Sequence, residues 1–124
     1  MKLHHVAVVC RSLENADRFY GELLGLKQIK SFTLNRELVD QIFDVNCECQ
    51  MTLYGNENFA VEVFVTSVHP EKVNPFVHLC IEVENKEKLA ENCQAKGLET
   101  KRISRGDGSL IFVKDYDGNL FEIK

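Results

Sequence analysis

A chain of 124 residues with 44% apolar and 27% charged side chains has the balance of one globular domain and the length to bury a core, which sets disorder aside. Its 19 acids against 15 Lys and Arg give a net charge of −4, so no basic face for nucleic acid is expected. No apolar run approaches the ~20 residues of a membrane helix, and no small-residue cleavage site follows the opening run, so neither a membrane partner nor a signal peptide is expected.

The five cysteines, Cys10, Cys47, Cys49, Cys80 and Cys93, form an odd set without framework spacing. They predict reduced thiols used in packing and a cytoplasmic setting. Cys47 and Cys49 would share one strand face, but no second Cys/His pair completes a zinc knuckle.

In chain order, Leu3–Cys10 is β-branched and apolar and predicts a strand. Ser12 is a good helix cap, and Leu13, Ala16, Phe19, Tyr20, Leu23 and Leu24 recur at helical spacing up to Gly25. Leu26–Leu34 predicts a strand, Asn35–Asp40 a polar loop with Asn35–Glu37 as a candidate lid, and Ile42–Tyr54 a longer strand zone. A turn at Gly55–Asn58 leads to a strand over Phe59–Val68. Both prolines fall in a linker, 69–76, where His69 is expected to be solvated.

The grammar then repeats. Val77–Val83 predicts a strand, Asn85 caps a helix running to Lys96, and Gly97 ends it. Leu98–Ser104, Ser109–Lys114 and Leu120–Lys124 predict three further strands, joined by turns at Arg105–Gly108 and Asp115–Asn119. The letters repeat as well: His5-Val6-Ala7-Val8 answers His78-Leu79-Cys80-Ile81, and Val61-Glu62-Val63 answers Phe121-Glu122-Ile123. Two βαβββ copies predict two half-sheets.

Strands send alternate residues to opposite faces. By that parity His5 opposes Val6 and Val8, Glu62 opposes Val61 and Val63, His78 opposes Leu79 and Ile81, and Glu122 opposes Phe121 and Ile123. Each half therefore offers one His from its first strand and one Glu from its last, all on the face away from the helix. Taken singly, each is explained as a solvated strand residue. Taken together, the same types recur at the same point of both copies. If the half-sheets curl towards each other, two imidazoles and two carboxylates converge, and a shared divalent cation offsets the cost of gathering the carboxylates. Two nitrogen and two oxygen donors suit Zn, Ni, Co, Mn or Fe(II). His4 competes with His5, although parity turns it to the helix side. Lys101, Arg102 and Arg105 predict a solvated basic edge; Phe32, Phe43, Phe64 and Phe112 are candidates either for the site wall or for the core.

The opening His5-Val6-Ala7-Val8 with Phe19-Tyr20-Gly21-Glu22-Leu23-Leu24-Gly25-Leu26, the segment Val77–Val83, and the closing Asp115-Tyr116-Asp117-Gly118-Asn119-Leu120-Phe121-Glu122 together resemble the vicinal oxygen chelate superfamily of glyoxalases, bleomycin-resistance proteins and extradiol dioxygenases. The resemblance spans nearly the whole chain and is strongest to lactoylglutathione lyase-like members. It implies an α+β fold of tandem βαβββ modules, 1–68 and 77–124, forming an open cup-shaped eight-stranded mixed sheet with helices outside. It also implies a homodimer, often with metal ligands shared between chains. Residue by residue, His5, Glu62, His78 and Glu122 match the His/Glu/His/Glu metal set of the lyase. Two positions depart. The first strand has Val8-Val9-Cys10 where small lyases carry a glutathione-binding Arg, and Ala7 stands where fosfomycin-modifying members carry Thr.

The expected activity is that of a metal-dependent lyase or isomerase. A small substrate would chelate the ion through adjacent oxygens, with Glu62 or Glu122 moving a proton beside a carbonyl. The alternatives are a metal-free small-molecule binder and an Fe(II) extradiol dioxygenase.

Overall fold

The computed structural model describes residues 1–69 and 74–124. The expected linker, 69–76, lies partly outside them. The chain divides into two units, Met1–Pro70 and Glu71–Lys124. Among the described residues the first contains β1 (Val6–Cys10), α1 (Leu13–Ala16), β2 (Lys27–Leu34), α2 (Arg36–Phe43), β3 (Cys49–Gly55) and β4 (Ala60–Val65). The second contains β5 (Leu79–Ile81), α3 (Lys86–Ala95), β6 (Thr100–Arg105), β7 (Gly108–Lys114) and β8 (Leu120–Ile123). Each unit has one open four-stranded mixed sheet, ordered β1-β4-β3-β2 in the first and β5-β8-β7-β6 in the second. In both, the first and last strands pair in parallel and the other pairs are antiparallel.

Ser12 caps α1 as its side chain predicts, accepting the Asn15 N–H at 3.1 Å. The helix then widens into a π-helical segment over Asp17–Leu23, and the Leu24 N–H reaches the Phe19 carbonyl at 3.0 Å. Gly25 follows with φ of 68°, a left-handed conformation that a side chain would oppose. This segment lays Ala16, Phe19 and Tyr20 on one sheet face, where Val8, Cys10, Tyr54, Val61 and Val63 are also buried. Tyr20 and Tyr54 stack at 5.8 Å, and the Tyr54 hydroxyl donates to the Asp17 carboxylate. Burial and that bond push the Tyr54 phenol well above its usual range.

The second unit repeats the plan. Asn85 caps α3 through the Lys88 N–H at 2.9 Å. Leu89, Ala90 and Cys93 bury their side of that helix, and Ile111, Val113, Phe121 and Ile123 complete the core. Buried and half-buried residues alternate along β8 and from Ala60 to Phe64 of β4, as the period of two requires.

Residues 36–43 depart from expectation. They form α2, not a polar loop running into a strand, and β3 begins only at Cys49. Asn35 caps the helix through the Leu38 N–H at 2.9 Å, and Asp44 ends it with φ of 55°. The first unit is thus a βαβββ module with a helix set between its second and third strands. β1 and β5 are also shorter than Leu3–Cys10 and Val77–Val83 predict. Both are edge strands, held by a ladder on one side only.

Candidate functional site

The parallel ladders set the site. On β1 and β4, Ala7 pairs with Glu62; on β5 and β8, Cys80 pairs with Glu122. In each unit the ladder partner of the Glu is therefore two residues beyond the His. A two-residue step keeps side chains on one face. The consequence is two equivalent pairs: His5 Nε2 lies 3.2 Å from Glu62 Oε2, and His78 Nε2 lies 3.6 Å from Glu122 Oε2. His5, not His4, meets the carboxylate.

The carboxylates are the less exposed partners, with Glu62 at 20% and Glu122 at 17% against 46% and 37% for the imidazoles. In the second unit the Phe112 ring meets His78 edge-on at 5.9 Å, and Phe112 is the ladder neighbour of Glu122 on β7. Lys124 Nζ stands 3.8 Å from the other Glu122 oxygen. Nδ1 of His78 lies 2.9 Å from the Phe76 carbonyl oxygen. A carbonyl only accepts, so Nδ1 carries the proton in that bond. In the neutral ring Nε2 then offers a lone pair towards a carboxylate oxygen. Two acceptors facing each other require a proton or a cation between them.

The residues fit a cation. Two donors each about 2.1 Å from one ion stand roughly 3.0–3.4 Å apart at octahedral or tetrahedral angles, close to the observed separations. The Nδ1-to-carbonyl bond is the usual outer support of a metal-binding imidazole. Each unit supplies one nitrogen and one oxygen donor; among the described residues no group of three or more His, Cys, Asp or Glu is placed to hold an ion.

Beside the first pair is a cavity of about 360 Å³. Ala7, Val9 and Phe64 line it from the sheet, and Val39 and Phe43 from α2, with Cys47, Thr66 and His69 nearby in the wall. This wall is formed where the sequence predicts a polar loop over 35–40. The signal was present in Leu38, Val39, Ile42 and Phe43, which recur at helical spacing behind the Asn35 cap. His69, expected to be solvated, is half-buried in that wall. Of the four phenylalanines, Phe43 and Phe64 meet edge-to-face at 5.3 Å, Phe112 flanks His78, and Phe32 is exposed. Arg102 pairs with Glu87 at 3.4 Å and Lys101 with Glu99 at 3.3 Å, so these bases serve a solvated edge as expected. None of the five cysteines is joined in a disulfide, and Cys80 is exposed, not packed.

With this fold and these paired donors, the chain belongs to the Glyoxalase/Bleomycin resistance protein/Dioxygenase superfamily, whose profile matches residues 2–123. A curated relative, a lactoylglutathione lyase of Arabidopsis thaliana, is 32% identical over 127 residues, covering 96% of this chain. The chain spans 42% of that relative's length. Among solved structures, a glyoxalase family protein from Enterococcus faecalis matches with a TM-score of 0.74 at 20% identity, covering 98% of this chain and 95% of the other. A glyoxalase family protein from Bacillus cereus gives 0.75 at 15% identity, with coverages of 99% and 92%. The fosfomycin resistance protein FosX of Listeria monocytogenes, complexed with Mn(II) and sulfate, gives 0.70 at 18% identity, with coverages of 98% and 89%. These likenesses are of fold. No helix among the described residues is long and apolar enough to cross a membrane.

Proposed function

We propose that the protein is a metal-dependent lyase or isomerase whose divalent ion, drawn from Ni, Zn, Co, Mn or Fe, is held by His5, Glu62, His78 and Glu122. The observation that carries the reading is the repeated His–Glu pair, at 3.2 Å in one unit and 3.6 Å in the other, on matching ladder positions. The two pairs serve one ion either within a chain or across a homodimer; the working partner is a small molecule, not nucleic acid or a membrane. A bound ion would supply Lewis acidity to adjacent substrate oxygens and ease loss of the proton beside a carbonyl.

The chain's own groups do the rest. His78, with Nδ1 committed to the Phe76 carbonyl, keeps Nε2 as a fixed donor. Glu62 and Glu122 each have a second carboxylate oxygen besides the one facing the imidazole, and either oxygen can take a substrate proton and return it to the neighbouring carbon. Lys124 Nζ, 3.8 Å from the other Glu122 oxygen, sets a positive charge beside the carboxylate. The Arabidopsis relative is named as a lyase of lactoylglutathione, which makes the hemithioacetal of an α-oxo aldehyde the first substrate to try.

The test loads the purified full chain with each metal and assays isomerisation for wild type, Glu62→Gln and Glu122→Gln. The expected result is metal uptake by all three and loss of turnover in at least one variant. Metal uptake with unchanged turnover in both variants removes the proton-transfer role. Failure to take up any of the metals favours instead a small-molecule binder, for which the apolar cavity of the first unit is the supporting feature. Oxygen uptake with a catechol in the iron-loaded protein would point to the dioxygenase reading.

A further inference from the structure

The cavity of the first unit continues the sheet face on which His5 and Glu62 stand. Val9 follows Ala7, and Phe64 follows Glu62, each at a two-residue step of about 6.6 Å along its strand. Ala7 is itself the ladder partner of Glu62, so the cavity floor begins beside the His–Glu pair. α2 supplies the facing wall. Its Val39 is 3% exposed, and its Phe43 packs edge-on against Phe64.

Apart from His69, the described lining is apolar or uncharged side chains. Among the described residues, no Lys, Arg, Asp or Glu contributes to it. Cys47 and Thr66 face each other, Sγ to Oγ1 at 3.6 Å, which commits the hydroxyl inside the protein. A carboxylate or phosphate placed against Val9, Val39 and Phe43 would lose water without gaining a partner. A hydrocarbon group there gains by every methylene it buries. The volume lies at the small end of ligand pockets, enough for a short chain or one ring.

We propose that this cavity receives a neutral hydrocarbon tail of the substrate, with Val39 and Phe43 on α2 setting the tail that fits. The inference rests on the metal reading above and adds a substrate class to it: a small compound with two adjacent oxygens at one end and an alkyl or aryl group at the other. α2 is thus the specificity element of the first unit.

The probes are n-alkyl hydroxamates from acetohydroxamate to octanohydroxamate, which join an adjacent-oxygen head to a neutral chain. Each is titrated calorimetrically into the full chain with and without Ni²⁺, and Ni²⁺ uptake is measured separately. Affinity is expected to rise about fourfold per methylene until the cavity is full, in both series. Phe43→Asp is expected to flatten that rise and Phe43→Leu to keep it, with both variants folded by circular dichroism. A flat dependence in folded wild-type protein overturns the inference, as does an undiminished rise in Phe43→Asp. Absent Ni²⁺ uptake overturns the metal reading alone, because the chain-length series is also read without metal.

Discussion

The ring Nδ1 of His78 is 2.9 Å from the carbonyl oxygen of Phe76, two residues earlier in the chain. This contact turns Nε2 towards Glu122 and fixes which nitrogen is the free donor. His78→Ala removes both the donor and the group facing the carboxylate. Divalent-metal affinity is expected to fall on the order of 100-fold or more. His4→Ala, which removes an imidazole outside the pair, is expected to leave it unchanged. Calorimetric titration of the two variants with Ni²⁺ decides.

Tyr54 and Asp17 join β3 to the widened helical segment. Tyr54→Phe removes the hydrogen bond from the buried ring to the exposed, charged Asp17 carboxylate. A loss of about 1–3 kcal/mol is expected in urea unfolding, with the fold retained because the ring still stacks on Tyr20.

Cys93 is fully buried in the second core, and burial raises its thiol pKa to about 11. The folded thiol therefore holds its proton where the unfolded one releases it. The stabilisation is complete below pH 9.0, the ordinary thiol value, and is lost as pH rises through about 11. Cys93→Ala is expected to lessen this alkaline fall in stability, monitored by thermal melts between those values. Cys80 is exposed; in the native protein, iodoacetamide should label it first and Cys93 only after unfolding, as read by peptide mass.

A Cβ on Gly55 would stand 2.9 Å from the Phe59 carbonyl oxygen and 3.1 Å from the Ile29 side chain. The backbone oxygen cannot move without disturbing the turn that Asn56 holds through the Asn58 and Phe59 N–H groups, each at 2.9 Å. Gly55→Ala is expected to cost about 1–3 kcal/mol, measured by urea unfolding. An unchanged midpoint would show that the turn yields more easily than its hydrogen bonds suggest.

The shared face of His5 with Glu62 and of His78 with Glu122 is legible because strand parity is a local rule. Val61, Val63, Phe121 and Ile123 define the core face, and that places Glu62 and Glu122 opposite without tertiary information. Internal repetition told which His belonged with which Glu. α2 was not legible in the same way. Val39 is its one buried residue, and the apolar pattern of Leu38, Ile42 and Phe43 is mostly exposed, so the usual link between pattern and burial is weak there. The π-helical widening after Ala16 has no side-chain signature, since it changes hydrogen-bond partners and not the apolar face. The cavity depends on α2 and was lost with it.

The parallel pairing of first with last strand has a consequence for assembly. His5 and Glu62, like His78 and Glu122, come from the two ends of their units and meet through the direct pairing of first strand with last. A unit that has formed only its hairpin of middle strands offers an ion no paired donors. Each His–Glu contact thus reports that the first and last strands of its own module have come together.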